Sequence, residues 1–121
     1  LDALKRGWRY YHTHLYGKHC MPVTEYGAYP VDIHACAEAI LCPAVLMRTM
    51  PRATKYAVLA LQWTHYNMRR PSENAPLYRK YPFFKSNIVF PRWNAAWVYR
   101  AVAEFLCNFY AEDKPIEHYR K

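Results

Sequence analysis

The chain has 121 residues, of which 53% are hydrophobic and 17% aromatic, and only three are glycines. This length fits one domain, and the apolar content excludes an intrinsically disordered chain. So few glycines argue against a turn-rich all-β fold. Seventeen lysines and arginines against nine aspartates and glutamates give a formal net charge of +8, which favours anionic partners.

A first helix is predicted over residues 2–16, ending at Gly17. Its apolar stripe consists of Leu4, Trp8, Tyr11 and Leu15. Residues 18–30 contain two prolines, one glycine and no periodicity, and they predict a connecting loop.

A second helix should begin near Asp32. Pro30 disfavours helix just before itself, and the Asp32 carboxylate can accept hydrogen bonds from the free amides at a helix start. Its buried face would consist of Ile33, Ala37, Ile40 and Leu41. Since Pro43 has no amide proton, this helix should kink there or end at Cys42.

A third helix is predicted over residues 52–68, where small residues would let a neighbouring helix approach closely. These small residues are Ala53, Ala57 and Ala60, and the large apolar face consists of Tyr56, Leu59, Trp63 and Tyr66. Residues 77–81 and 87–90 are short β-favouring runs that predict an irregular hairpin.

A fourth helix is predicted over residues 92–110, followed by a charged, frayed tail over residues 112–121. The apolar face of this helix would consist of Trp93, Trp97, Val98, Val102, Phe105, Leu106 and Phe109. Residues 1–111 are therefore expected to form a single helical domain.

The four cysteines show no sign of a secreted disulfide framework and are interpreted as thiols in a reducing compartment, which favours a cytoplasmic location. No uncharged apolar stretch reaches about 18 residues, so no membrane-spanning helix is expected. Because the chain begins with Leu1 and lacks the order of a signal peptide, we expect a processed chain or an excerpt of a longer one.

Three stretches resemble a known family: residues 29–40, YPVDIHACAEAI; residues 78–84, YRKYPFF; and residues 92–97, RWNAAW. In this order they resemble the C-terminal part of bacterial proteins found with polysaccharide and O-antigen biosynthesis genes, a family similar to six-hairpin α/α-toroids. The resemblance covers most of the chain but only the last part of a whole toroid. The family has glutamine at Glu38 and a Gly-Gln pair at Asn94-Ala95.

The resemblance implies an all-α fold of helical hairpins from an incomplete α/α-toroid, with the short β-hairpin between the third and fourth helices. It also implies that helix N-termini converge on a cavity for an anionic glycan or sugar phosphate. No cofactor is expected, because the sequence has no phosphate-binding glycine loop and no dinucleotide fingerprint. The residues facing this ligand would be Tyr29, Asp32, His34, Glu38, Arg79, Arg92, Trp93 and Trp97. Aromatic rings suit pyranose faces, and arginines suit carboxylate or phosphate.

The head of the second helix carries the candidate catalytic residues Asp32, His34 and Glu38. His34 and Glu38 share a helix face and could form a general base with its orienting carboxylate, with Asp32 as another proton-transfer group. The structural alternative makes Asp32 an N-cap and the other two an ordinary pair one turn apart. The sequence leaves open whether the protein is an enzyme.

Three further patterns have competing interpretations. Histidines and cysteines occur together, but their spacing does not match a zinc site. Trp93 and Trp97 suit either a sugar platform or a core stripe. Basic and aromatic residues also interleave, which gives the alternative function: a non-catalytic basic, aromatic-rich subunit that binds RNA or a larger assembly. Two helical hairpins cannot close a six-hairpin ring, so further chain or a protein partner should cover the open flanks.

Overall fold

The computed structural model describes residues 2–70, 72, 75–88 and 90–111. Its four α-helices are α1 (Asp2–His14), α2 (Ile33–Leu46), α3 (Ala53–Asn67) and α4 (Ala96–Ala111). A 3-10 turn occupies Lys18–Cys20, and a π-helical turn at Pro91–Ala95 precedes α4. The mostly helical character predicted from the sequence is therefore confirmed, while residues 112–121, the predicted tail, lie outside the described residues.

Among the described residues, four two-residue strands form two small antiparallel sheets. They are β1 (Val31–Asp32), β2 (Arg69–Arg70), β3 (Ala75–Pro76) and β4 (Arg79–Lys80), and the pairs are β1 with β4 and β2 with β3.

The predicted irregular hairpin forms, but in a shorter register: Lys80 and Lys85 make an antiparallel bridge, Tyr81 N donates to Phe84 O at 2.8 Å, and Ser86 N donates to Arg79 O at 2.8 Å. The strands β2 and β3 also pair between α3 and α4, and β4 pairs with β1, far away in sequence. The β1–β4 register sets Asp32 opposite Arg79, and Ile33 N donates to Tyr78 O at 3.1 Å. The Asp32–Arg79 ion pair and the backbone hydrogen bonds to the start of α2 therefore hold residues 77–81 in place.

The core is built around α2, which packs against both α3 and α4. Ile33, Ala37 and Ile40 are fully buried, as predicted. The predicted close approach along α3 is confirmed, because Ala57 and Ala60 are also fully buried in this cluster.

Several large apolar residues are more exposed to solvent than their periodicity predicted. On α3, Tyr66 is 78% exposed, whereas Tyr56 and Trp63 are half-buried and pack against the core. On α1, Trp8 is buried but Leu4 is exposed. The apolar face of α4 buries Phe105 and leaves Leu106 and Phe109 exposed.

The sequence predicted that α2 would kink at Pro43 or end at Cys42; the helix continues through Pro43, so it does not end at Cys42. A proline cannot donate the backbone hydrogen bond to the carbonyl four residues earlier, which here belongs to Ala39. The Tyr16 hydroxyl donates to that same Ala39 oxygen at 2.5 Å. A side chain from the loop after α1 thus replaces the missing backbone donor, and burial raises the pKa of Tyr16, which keeps its hydroxyl protonated as a donor.

We expect Tyr16→Phe to lower the free energy of unfolding by about 1–3 kcal/mol, because it leaves the buried Ala39 carbonyl without a donor. Urea denaturation measures this loss. In a Pro43→Ala background the restored amide satisfies Ala39, so Tyr16→Phe should cost clearly less there. Equal costs in both backgrounds would contradict this account of how α2 tolerates its proline.

The four cysteines all fall in the described residues and are unpaired thiols. Burial raises the pKa of Cys36 to about 12, whereas Cys107 is exposed. In the part of the chain that the structure describes, no helix has both the length and the apolar character needed to cross a membrane.

Candidate functional site

The start of α2 is organised by the carboxylate of Asp32. Its Oδ1 accepts the backbone amide of His34 at 2.9 Å and so caps the helix, as the sequence predicted. The same oxygen lies 2.8 Å from His34 Nδ1, and Oδ2 accepts Arg79 Nε at 2.9 Å. One carboxylate therefore fixes a helix start, an imidazole and a guanidinium.

These contacts set the ionisation of Asp32. Partial burial alone would raise its pKa, but the hydrogen bonds from Arg79 and from the His34 amide and ring outweigh burial, so the pKa is lowered. Reciprocally, the hydrogen bond to Asp32, together with one to Tyr81, raises the pKa of Arg79. Asp32 is thus held as a carboxylate.

The ionised Asp32 also selects the tautomer of His34. A carboxylate only accepts hydrogen bonds, so Nδ1 carries a proton that it donates to Asp32, and in the neutral form of the ring the lone pair lies on Nε2. Nε2 is shielded from solvent and has no hydrogen-bond partner. Beside it, the indole rings of Trp93 and Trp97 approach the imidazole edge to face, with centroids 6.3 and 6.4 Å away.

A cavity of about 280 Å³ opens at this imidazole and is lined by His34, Tyr78, Phe90 and Trp93. The Trp93 side chain is 65% exposed, so one ring is available to a ligand. Tyr78 and Phe90 meet edge to face, with centroids 5.3 Å apart. The site thus combines one nitrogen without a hydrogen-bond partner, His34 Nε2, with three aromatic side chains that line the cavity.

The structure brings together five of the eight predicted site residues. Asp32, His34, Arg79, Trp93 and Trp97 are linked by hydrogen bonds or ring contacts. Trp97 is half-buried and packs against the main core, which agrees with its core interpretation. Glu38, Tyr29 and Arg92 are exposed and do not line the cavity.

The carboxylate that orients His34 is Asp32, not Glu38. On an ideal helix, the Asp32 side chain would point away from His34, whereas Glu38 lies one turn from it on the same face. As an N-cap, Asp32 has extended backbone angles of −93° and 144°, and these turn its side chain back over the first helical turn.

Three residues of this region were missed by the sequence reasoning. Tyr78 and Phe90 line the cavity, and Asn94 is fully buried with neither side-chain amide atom hydrogen-bonded. A buried, unpartnered amide beside Trp93 is unusual in a folded protein. Pro91, which heads the turn that positions Trp93 and Asn94, was the available signal.

The histidines and cysteines do not assemble into a metal centre in the described ranges, where no group of three or more His, Cys, Asp or Glu residues is suitably placed. Comparison of the chain with family models, curated proteins and solved structures found no match in any of the three.

We expect Asp32→Asn to destabilise the protein by about 1–2 kcal/mol at pH 7, because it removes the charge that Arg79 contacts but keeps a good helix cap. Asp32→Ala should cost about 1 kcal/mol more, since it also removes the cap. Urea denaturation of the three proteins measures both steps.

The pH dependence provides the check. Because the pKa of Asp32 is lowered in the folded state, its stabilisation is complete above its unfolded value of about 4 and is lost as the pH falls below it. The difference in the free energy of unfolding between wild type and Asp32→Asn should therefore decrease from pH 5 to pH 3. An unchanged difference would show that the carboxylate charge is not its source.

Proposed function

We propose that the cavity at His34 binds a carbohydrate or sugar phosphate. The observation that carries this proposal is the unpartnered Nε2 of His34, held in a fixed tautomer beside the exposed ring of Trp93. A buried polar atom without a partner is costly, and a ligand hydroxyl that donates to it removes that cost.

The walls suit a sugar ring. The apolar face of a pyranose stacks on Trp93 or Phe90, both of which are exposed, while one hydroxyl donates to Nε2. The volume of about 280 Å³ lies near the lower limit of small-molecule sites. A single sugar unit therefore fits this cavity better than an extended chain.

The two arginines take different roles. Arg79 bonds Asp32, and its guanidinium also lies 4.7 Å from the centroid of the Tyr78 ring. These contacts make Arg79 a positioning residue for the Asp32–His34 pair. Arg92 is exposed and directly precedes Trp93, so it is the better candidate for a ligand phosphate.

The Asp32–His34 pair also suits proton transfer. A carboxylate that binds Nδ1–H leaves Nε2 as the proton acceptor, which is how imidazole bases are oriented in many enzymes. Hydrolysis of a glycosidic bond ordinarily uses two carboxyl groups on either side of the bond, and the cavity lining contains none. We therefore propose sugar binding, with Nε2 as the one proton acceptor at the site.

At the level of the cell, we propose that this binding serves polysaccharide biosynthesis, as the family resemblance implies, and that it takes place in the cytoplasm, as the unpaired cysteines favour. The exposed Leu106, Phe109 and Tyr110 at the end of α4 support a further contact, with more of an α/α-toroid or with a protein partner.

Thermal denaturation with a panel of hexoses, hexose phosphates and nucleotide sugars tests the proposal. A ligand at 100 times its Kd should stabilise the protein by about 2.7 kcal/mol, on the order of 10 °C in Tm for a small domain. Trp93→Ala and His34→Gln should abolish the shift. Tyr99→Ala is the control, because Tyr99 is an exposed aromatic on α4 outside the cavity.

If no sugar shifts Tm but single-stranded RNA binds with a steep salt dependence, the alternative function as a basic RNA-binding subunit replaces this one. If Tyr99→Ala abolishes the sugar shift as fully as Trp93→Ala, the ligand does not occupy the His34 cavity.

A further inference from the structure

A second and larger cavity, of about 580 Å³, lies between α1 and the segment that leads into α3. Its cationic residues are Lys5, Arg9 and Arg52, and its aromatic residues are Trp8, His12 and Tyr56. It shares no residue with the His34 cavity. The volume falls within the range of sites that hold small organic ligands.

The aromatic residues pack on one another and form a fixed floor. Trp8 is 9% exposed, and Tyr56 meets it edge to face with centroids 5.3 Å apart. The His12 ring lies 5.2 Å from Trp8 and 5.1 Å from Tyr56, centroid to centroid. Each ring is thus held by the other two before any ligand arrives, which lowers the entropy cost of binding.

The cations form the rim. Lys5, Arg9 and Arg52 are exposed, and among the described residues no carboxylate lies within 4 Å of their charged nitrogens. No acidic residue lines the cavity. Three like charges around one apolar hollow repel each other, and an anion in the hollow would relieve that repulsion.

We infer that this cavity binds a nucleoside diphosphate. The base would lie against the aromatic floor, and the phosphates, with a charge of about −3, would meet the three cations. Either feature alone would fit simpler ligands: a basic rim suits inorganic phosphate, and an apolar floor suits a neutral aromatic compound. The combination in one cavity selects a ligand that joins the two.

Isothermal titration calorimetry at low salt with ADP, adenosine and pyrophosphate tests this inference. ADP should bind at submillimolar concentration, and adenosine and pyrophosphate at least tenfold more weakly. Arg9→Gln and Arg52→Gln should each weaken ADP binding about fivefold, the effect of losing roughly 1 kcal/mol from an exposed charge pair. Both side chains are exposed, so the variants should keep the wild-type Tm.

Arg48→Gln is the matched control, because Arg48 is an exposed arginine that does not line the cavity. It should leave ADP binding unchanged, as should Trp93→Ala, which separates this site from the proposed sugar site. The inference is overturned if Arg48→Gln weakens binding as much as Arg9→Gln, if pyrophosphate binds as tightly as ADP, or if millimolar ADP gives no heat.

Discussion

The three-way contact of the Asp32 carboxylate organises the region in which both the fold and the candidate site begin. It caps α2, the helix at the centre of the core, and it ties β1 to β4 through Arg79. It also accepts the Nδ1 proton of His34, whose buried Nε2 has no hydrogen-bond partner. The Asp32 side chain therefore caps the start of α2, ties β1 to β4 and positions His34. A change that displaces this side chain from the site also disturbs the start of α2.

The small residues of the core explain where the aromatic residues lie. Ala37, Ala44, Ala57, Ala60 and Ala101 are fully buried. Such small side chains bring helix axes close together and leave little room for large rings between them. Many aromatic side chains consequently lie at helix edges and in connecting segments, where they form the walls and floors of both cavities.

How much the sequence predicts depends on how far apart the interacting residues are. The Asp32 cap and the buried face of α2 involve neighbours along the chain, and both were predictable. The Arg79–Asp32 contact spans 47 positions, and no local signal specifies it. The same difference explains why the pairing of β4 with β1 was not predicted: residues 77–81 do favour an extended conformation, but β1 lies far away in sequence.

Periodicity also identifies an apolar stripe without showing which part of it meets a neighbour. On α3, the alanines are fully buried, while Tyr56 and Trp63 are half-buried against the core. Tyr66 recurs at the same helical spacing as these rings, so the periodicity predicts that it is buried, but it is exposed. Trp93, in contrast, is one of the residues that the family resemblance placed at a ligand cavity, and it lines the smaller cavity.

The helix α2 supports both cavities. Its first turn holds His34, and its Ala39 carbonyl, freed by Pro43, accepts the Tyr16 hydroxyl. The Tyr16 ring stacks on Tyr56, with centroids 5.7 Å apart, and Tyr56 belongs to the floor of the larger cavity. Pro43, inside α2, thus leaves free the acceptor that anchors this aromatic floor to the central helix, so the interior of α2 supports one cavity while its start supports the other.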